Sequence, residues 1–120
     1  MTTTADEFKK RTKAFAVRVM KLVDTLPMQT SAQVIGKQLF RAASSVAANY
    51  RAACRGRSKA EFAAKLGIVE EEADECGFWL EMLIESGLIP ESKLKPLCEE
   101  ASEITAMIVA SIRTTKISNL

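Results

Sequence analysis

The sequence predicts an all-α protein, an antiparallel up-down-up-down four-helix bundle formed by one domain over residues 1–120. Three observations point there. Apolar residues recur at alternating steps of three and four along four separate segments, the spacing of one helix face. Turn-forming Gly and Pro sit mostly between those segments. The core must be aliphatic, since 48% of the residues are hydrophobic but only 6% aromatic, and 120 residues suit a single domain.

The first helix is expected over about 6–25, with Phe8, Thr12, Phe15, Val19, Leu22 and Leu26 on one stripe. Pro27 stops it, because the residue before a proline is biased away from the α region. The second should run over about 31–55. Thr30 reads as its N-cap, with Gln33 completing a capping box. Its stripe is Ile35, Leu39, Ala42, Val46, Asn49 and Ala53, and Gly56 suits the C′ position.

Ser58 and Glu61 form a second capping box ahead of a third helix over about 59–86, ending at Gly87. Phe62, Leu66, Val69, Ala73, Cys76, Leu80 and Leu83 share its stripe. Gly67 and Gly77 each cost about 1 kcal/mol against alanine in a helix, which predicts close packing at both. The fourth helix is expected over about 91–117. Pro90 suits its first position, but Pro96 falls where a backbone N–H is needed. An irregular first turn followed by a clean helix from about Pro96 to Lys116 is therefore predicted, with Leu97, Ala101, Ile104, Ile108 and Ser111 on its stripe and Met107 and Ile112 beside it. Short connections make sequential helices antiparallel neighbours.

Several function classes fall away on composition. No run of 18 apolar residues occurs, so no membrane span is expected. The first residues lack a basic and apolar leader pattern, and the three cysteines (Cys54, Cys76 and Cys98) share no metal-type spacing. A cytoplasmic protein with reduced thiols is expected. The chain has no histidine, which removes His-based nucleophile systems and His-ligated metal sites. The carboxylate pairs Glu71/Glu75 and Glu99/Glu103 read as solvated helix faces. No catalytic residue, metal or cofactor is expected.

Net charge is only +2, but it is unevenly spread. Residues 37–65 carry seven basic side chains against Glu61 alone, whereas residues 66–103 carry eleven acidic ones against Lys93 and Lys95. On a wheel at 100° per residue, Lys37, Arg41, Arg51 and Arg55 align on the second helix with Ser44 and Ala48 between them. Arg57 and Lys59 extend the patch. This acid-free stripe reads either as a phosphate-tracking surface or as a partner for the acidic third-helix face (Glu70, Asp74, Glu81 and Glu85) of a neighbouring subunit. A second strip, Gly36, Phe40, Ala43, Ala47 and Tyr50, could form an oligomer interface or widen the core. Trp79, flanked by Ile68 and Met82, poses the same choice. Asn49 interrupts the apolar stripe and needs a partner. Glu72 and Lys65 are the candidates, in a role that sets register between helices two and three.

The segment QLFRAASSVAANYRAA, then RSKAEFAAKL, then EEADECGFWLEMLIESGLI, resembles the 23S rRNA intervening-sequence protein family, also described as four-helix bundle proteins. Arg41, Asn49, Tyr50, Arg51, Ser58, Glu61, Phe62, Lys65 and Trp79 match the family pattern, and the likeness covers nearly the whole chain. The resemblance implies a homopentameric ring of bundles. It also implies a fold similar to the accessory protein of diversity-generating retroelements, a pentameric nucleic-acid-binding partner of a reverse transcriptase. Two readings of function follow. One is an oligomeric accessory protein that binds RNA or DNA. The other is a protein–protein scaffold whose charged faces serve self-assembly.

Overall fold

A computed structural model describes residues 4–118, with the side chain of the last of these left aside. Four helices follow in order: α1 (Ala5–Val23), α2 (Thr30–Ala53), α3 (Lys59–Glu85) and α4 (Glu91–Ser118). Each packs on the next, and α4 closes back on α1, making the up-down-up-down bundle. It measures 50 × 24 × 20 Å.

The predicted stripes become the core. Phe8, Phe15 and Val19 of α1 are buried with Ile35, Leu39, Ala42 and Val46 of α2. Leu66, Val69, Cys76, Leu80 and Leu83 of α3 meet Leu94, Leu97, Ile104 and Ile108 of α4 in the same interior. Burying each large aliphatic side chain is worth about 1.5–3 kcal/mol. Thr12 is the one buried polar residue among those described. Its hydroxyl donates to the Lys9 carbonyl at 3.1 Å, so it enters the core without an unmet donor.

The helix ends depart from several expectations. α1 starts with a complete capping box that the sequence reading passed over. The Glu7 N–H donates to Thr4 Oγ1 at 3.1 Å, and the Thr4 N–H donates to Glu7 Oε2 at 3.2 Å. The box expected at Thr30 does not form: the helix begins one residue earlier, and the flanking Gln29 makes no side-chain cap. Gln33 instead donates to the Pro27 carbonyl at 2.9 Å, tying the preceding turn to the helix. At Ser58 half of the expected box is present. Its hydroxyl accepts from the Glu61 N–H at 3.1 Å, while the Glu61 carboxylate accepts from the Arg57 N–H.

Glycines account for two further corrections. Gly56 is not in the left-handed region, which among the described residues is reached by Gly87 alone, at φ 76°. What Gly56 supplies is space, because a Cβ there would lie 3.0 Å from the Ala53 carbonyl oxygen and 3.3 Å from the Phe62 nitrogen. Gly67 and Gly77, expected to be sites of close packing, have nothing within 4 Å of an added Cβ. The tight helix approach is at Gly36, where a Cβ would meet Leu26 Cδ1 at 2.9 Å and Val23 Cγ1 at 3.1 Å. In α4 the expected break at Pro96 is absent, and the helix runs through it from Glu91. The carbonyl that would have accepted the missing N–H belongs to Ser92, an exposed residue that water can reach.

Candidate nucleic-acid interface

Helix α2 turns a face without any acidic residue outward. Lys37 and Arg51 are exposed on it, and Arg55, Arg57 and Lys59 are exposed just beyond its end. Arg41, predicted to belong to this stripe, does not stand free. Its Nη1 lies 3.0 Å from Glu72 Oε2, its Nη2 pairs with Glu75, and its Nε donates to Gln38. The reason is angular: Arg41 sits on the flank of the stripe nearest α3, where acidic side chains are within reach.

On the opposite flank, the fold adds cations that the sequence reading had not joined to the stripe. A groove of about 420 Å³ runs between α1 and α2. Ala16, Val17 and Met20 of α1 line it with Phe40, Ala47 and Ala48 of α2, and Lys9, Lys10, Lys13 and Arg51 surround this apolar lining. No carboxylate lines it. Lys9 has an acidic partner, Asp6, at 3.5 Å on the solvent side. A signal for the groove existed in the spacing of Lys10, Lys13, Val17 and Met20, which are successive steps of three and four on one α1 flank. What it lacked was the identity of the neighbour.

The second strip divides. Gly36, Ala43 and Tyr50 are buried between α1 and α2, so they widen the core rather than face a partner. Tyr50 packs edge-on against Phe8, with ring centroids 4.7 Å apart. Burial, followed by its hydrogen bond with Cys54, pushes its phenol up. Phe40 remains 36% exposed and, with half-buried Ala47, opens on the groove. Trp79 is half-buried and packs edge-on against Phe78 at 4.9 Å, its indole N–H enclosed without an acceptor. Around it, Ile68, Phe78 and Met82 expose an apolar face of α3.

Asn49 does not bridge helices. Its amide donates to the Ser45 carbonyl at 3.0 Å and to Ser45 Oγ at 2.8 Å, so neither Glu72 nor the half-buried Lys65 is its partner. Glu72 serves Arg41 instead. One member of each carboxylate pair is likewise drawn into an ion pair, Glu75 with Arg41 and Glu103 with Arg11. Among the described residues no three Cys, Asp or Glu side chains gather to hold a metal ion, and no helix is long and apolar enough to cross a membrane.

The family model described as 23S rRNA-intervening sequence protein matches residues 6–110. A crystal structure of a protein with unknown function from the S23 ribosomal protein family, from Bacteroides thetaiotaomicron, is similar with a TM-score of 0.84 and 31% sequence identity. The match covers 91% of this chain and 97% of that one. No curated protein matches the chain.

Proposed function

This chain belongs to the 23S rRNA-intervening sequence protein family, and on that premise we propose that it is a non-enzymatic protein that binds the phosphate backbone of RNA or DNA. The observation that carries the reading is the cation-rimmed groove between α1 and α2, whose lining holds no carboxylate, beside an α2 that has no acidic residue. No carboxylate lines the groove at Lys10, Lys13 and Arg51, and exposed Lys37, Arg55 and Arg57 lie beyond it, where Glu61 accepts from the Arg57 N–H. From Lys37 to Arg51 the stripe rises about 21 Å along the helix, enough to follow several phosphates. The family resemblance, which implies a fold similar to the retroelement accessory protein, points the same way.

The mechanism is counterion release. If four of these cations neutralise phosphates, log affinity should fall with log salt at a slope of about −3 to −4. Between about 50 and 200 mM salt that is a loss of roughly 50- to 150-fold. Nuclease-treated protein titrated with labelled RNA and duplex DNA across that range should show the slope, and Arg51→Glu with Arg55→Glu should flatten it. Binding that is insensitive to salt and to the double reversal would refute the phosphate mechanism.

Self-assembly is a second reading, favoured by the exposed apolar face at Ile68, Phe78 and Met82 on α3. The homopentamer implied by the family resemblance needs an interface, and this face is a candidate for it. If the basic stripe is spent on assembly, the Arg51→Glu/Arg55→Glu protein loses mass in light scattering. If the stripe is free for nucleic acid, mass is unchanged while binding falls.

A further inference from the structure

We infer that the groove between α1 and α2 holds an unstacked base, so that the nucleic acid this surface takes is single-stranded. The inference rests on the phosphate-binding reading above and specifies its substrate class. A duplex presents phosphate and sugar on its outside and keeps the faces of its bases stacked, so it would leave an apolar groove floor uncovered. This floor is largely apolar: Val17, Met20 and Ala47 line it together with Phe40, which remains 36% exposed. Sequence-tolerant single-strand sites combine these two elements, a cationic track for the backbone and an aromatic face on which a base stacks.

The placement of the cations supports a strand rather than a small amphiphile. In this antiparallel pair Phe8 meets Tyr50, which puts Lys9, Lys10, Lys13 and Arg51 toward one end of the groove and Met20 with Phe40 toward the other. A base against Phe40 therefore leaves its own backbone running toward the lysines. Beyond the groove the charge continues through exposed Lys37, Arg55 and Arg57. A small anion would need none of these, whereas a polymer can use each.

The test compares a labelled oligouridine of about 12 nucleotides, within the usual single-strand site range, with an RNA duplex of the same length. Wild type, Phe40→Ala and Phe40→Leu are titrated after circular dichroism has established that each is folded. The expected result is tighter binding of the single strand. Phe40→Ala should weaken single-strand binding by about 5- to 150-fold, with little effect on the duplex, and Phe40→Leu should fail to restore it. Incorporated 2-aminopurine should lose fluorescence on binding wild type but not either variant. Equal affinity for strand and duplex, no effect of Phe40→Ala, or full rescue by leucine would overturn the inference while leaving phosphate binding intact. Failure of both nucleic acids to bind even at low salt would instead remove the proposed function, and this inference with it.

Discussion

Replacing Arg11 by methionine should open the weakest seam of the bundle. Helix α1 meets α4 in far fewer places than it meets α2, and Arg11 supplies the polar contact across that seam. Its Nε donates to Glu100 Oε2 at 2.8 Å and its Nη2 to Glu100 Oε1 at 2.7 Å, a two-pronged grip. Nη2 also lies 3.4 Å from Glu103, and Nη1 lies 3.1 Å from Met107 Sδ. The side chains of Arg11 and Glu100 are only 29% and 16% exposed, so water screens the pair less than it would a surface pair. Hydrogen bonds to charged groups contribute about 1.5–3 kcal/mol, and partial exposure puts the loss in Arg11→Met near 2 kcal/mol. For a domain of this size about 4 °C accompanies each kcal/mol, so a fall in Tm of about 8 °C is expected by calorimetry.

The pH dependence checks the cause. The hydrogen bond from Arg11 holds the Glu100 carboxyl below its ordinary range. A carboxylate whose folded pKa is depressed contributes stability above its unfolded pKa and loses it as pH falls through the folded value. The gap between wild type and Arg11→Met should therefore be full near neutrality and shrink once pH drops below about 4. An unchanged Tm in Arg11→Met, or a gap that persists undiminished in acid, would refute the argument.

Three glycines allow a contrast within one protein. Gly77→Ala should raise stability by about 1 kcal/mol in urea melts of the isolated chain, because helix propensity improves and nothing obstructs the new methyl. Gly67→Ala should do the same. Gly36→Ala should gain less or lose stability, since its methyl must displace Leu26 and Val23. The cysteines should also differ. Cys76 is fully buried, and burial pushes its thiol up to about 12, so it should resist alkylation in the native protein at pH 8 while reacting in denaturant. Mass spectrometry after brief iodoacetamide treatment reads this directly. Cys54 and Cys98 are only partly buried and should be modified first.

Much of the fold was legible because helical periodicity is local. The stripes of Phe8 to Leu26, Ile35 to Ala53, Leu66 to Leu83 and Leu97 to Ile108 give helix number, length and inward face, and short turns then leave little choice of topology. Helix ends were less legible. Thr30 and Thr4 are both acceptable caps by composition, and the structure uses Thr4. Pro96 reads as a breaker, yet the carbonyl it leaves without a helical partner belongs to an exposed residue one turn earlier, and the helix continues.

The sequence by itself determined a bundle with an acid-free α2 face and an acidic α3, in a chain without histidine. Only the tertiary structure decided which of those cations are engaged. A helical wheel gives each side chain an angle but not the neighbour standing at that angle. Two residues of one stripe can therefore meet opposite fates: Arg41 is drawn to Glu72 and Glu75 of α3, while Arg51 joins the lysines of α1. For the same reason Gly36, Ala43 and Tyr50 are buried by α1, whereas Phe40, turned slightly further out, remains at the surface of the groove.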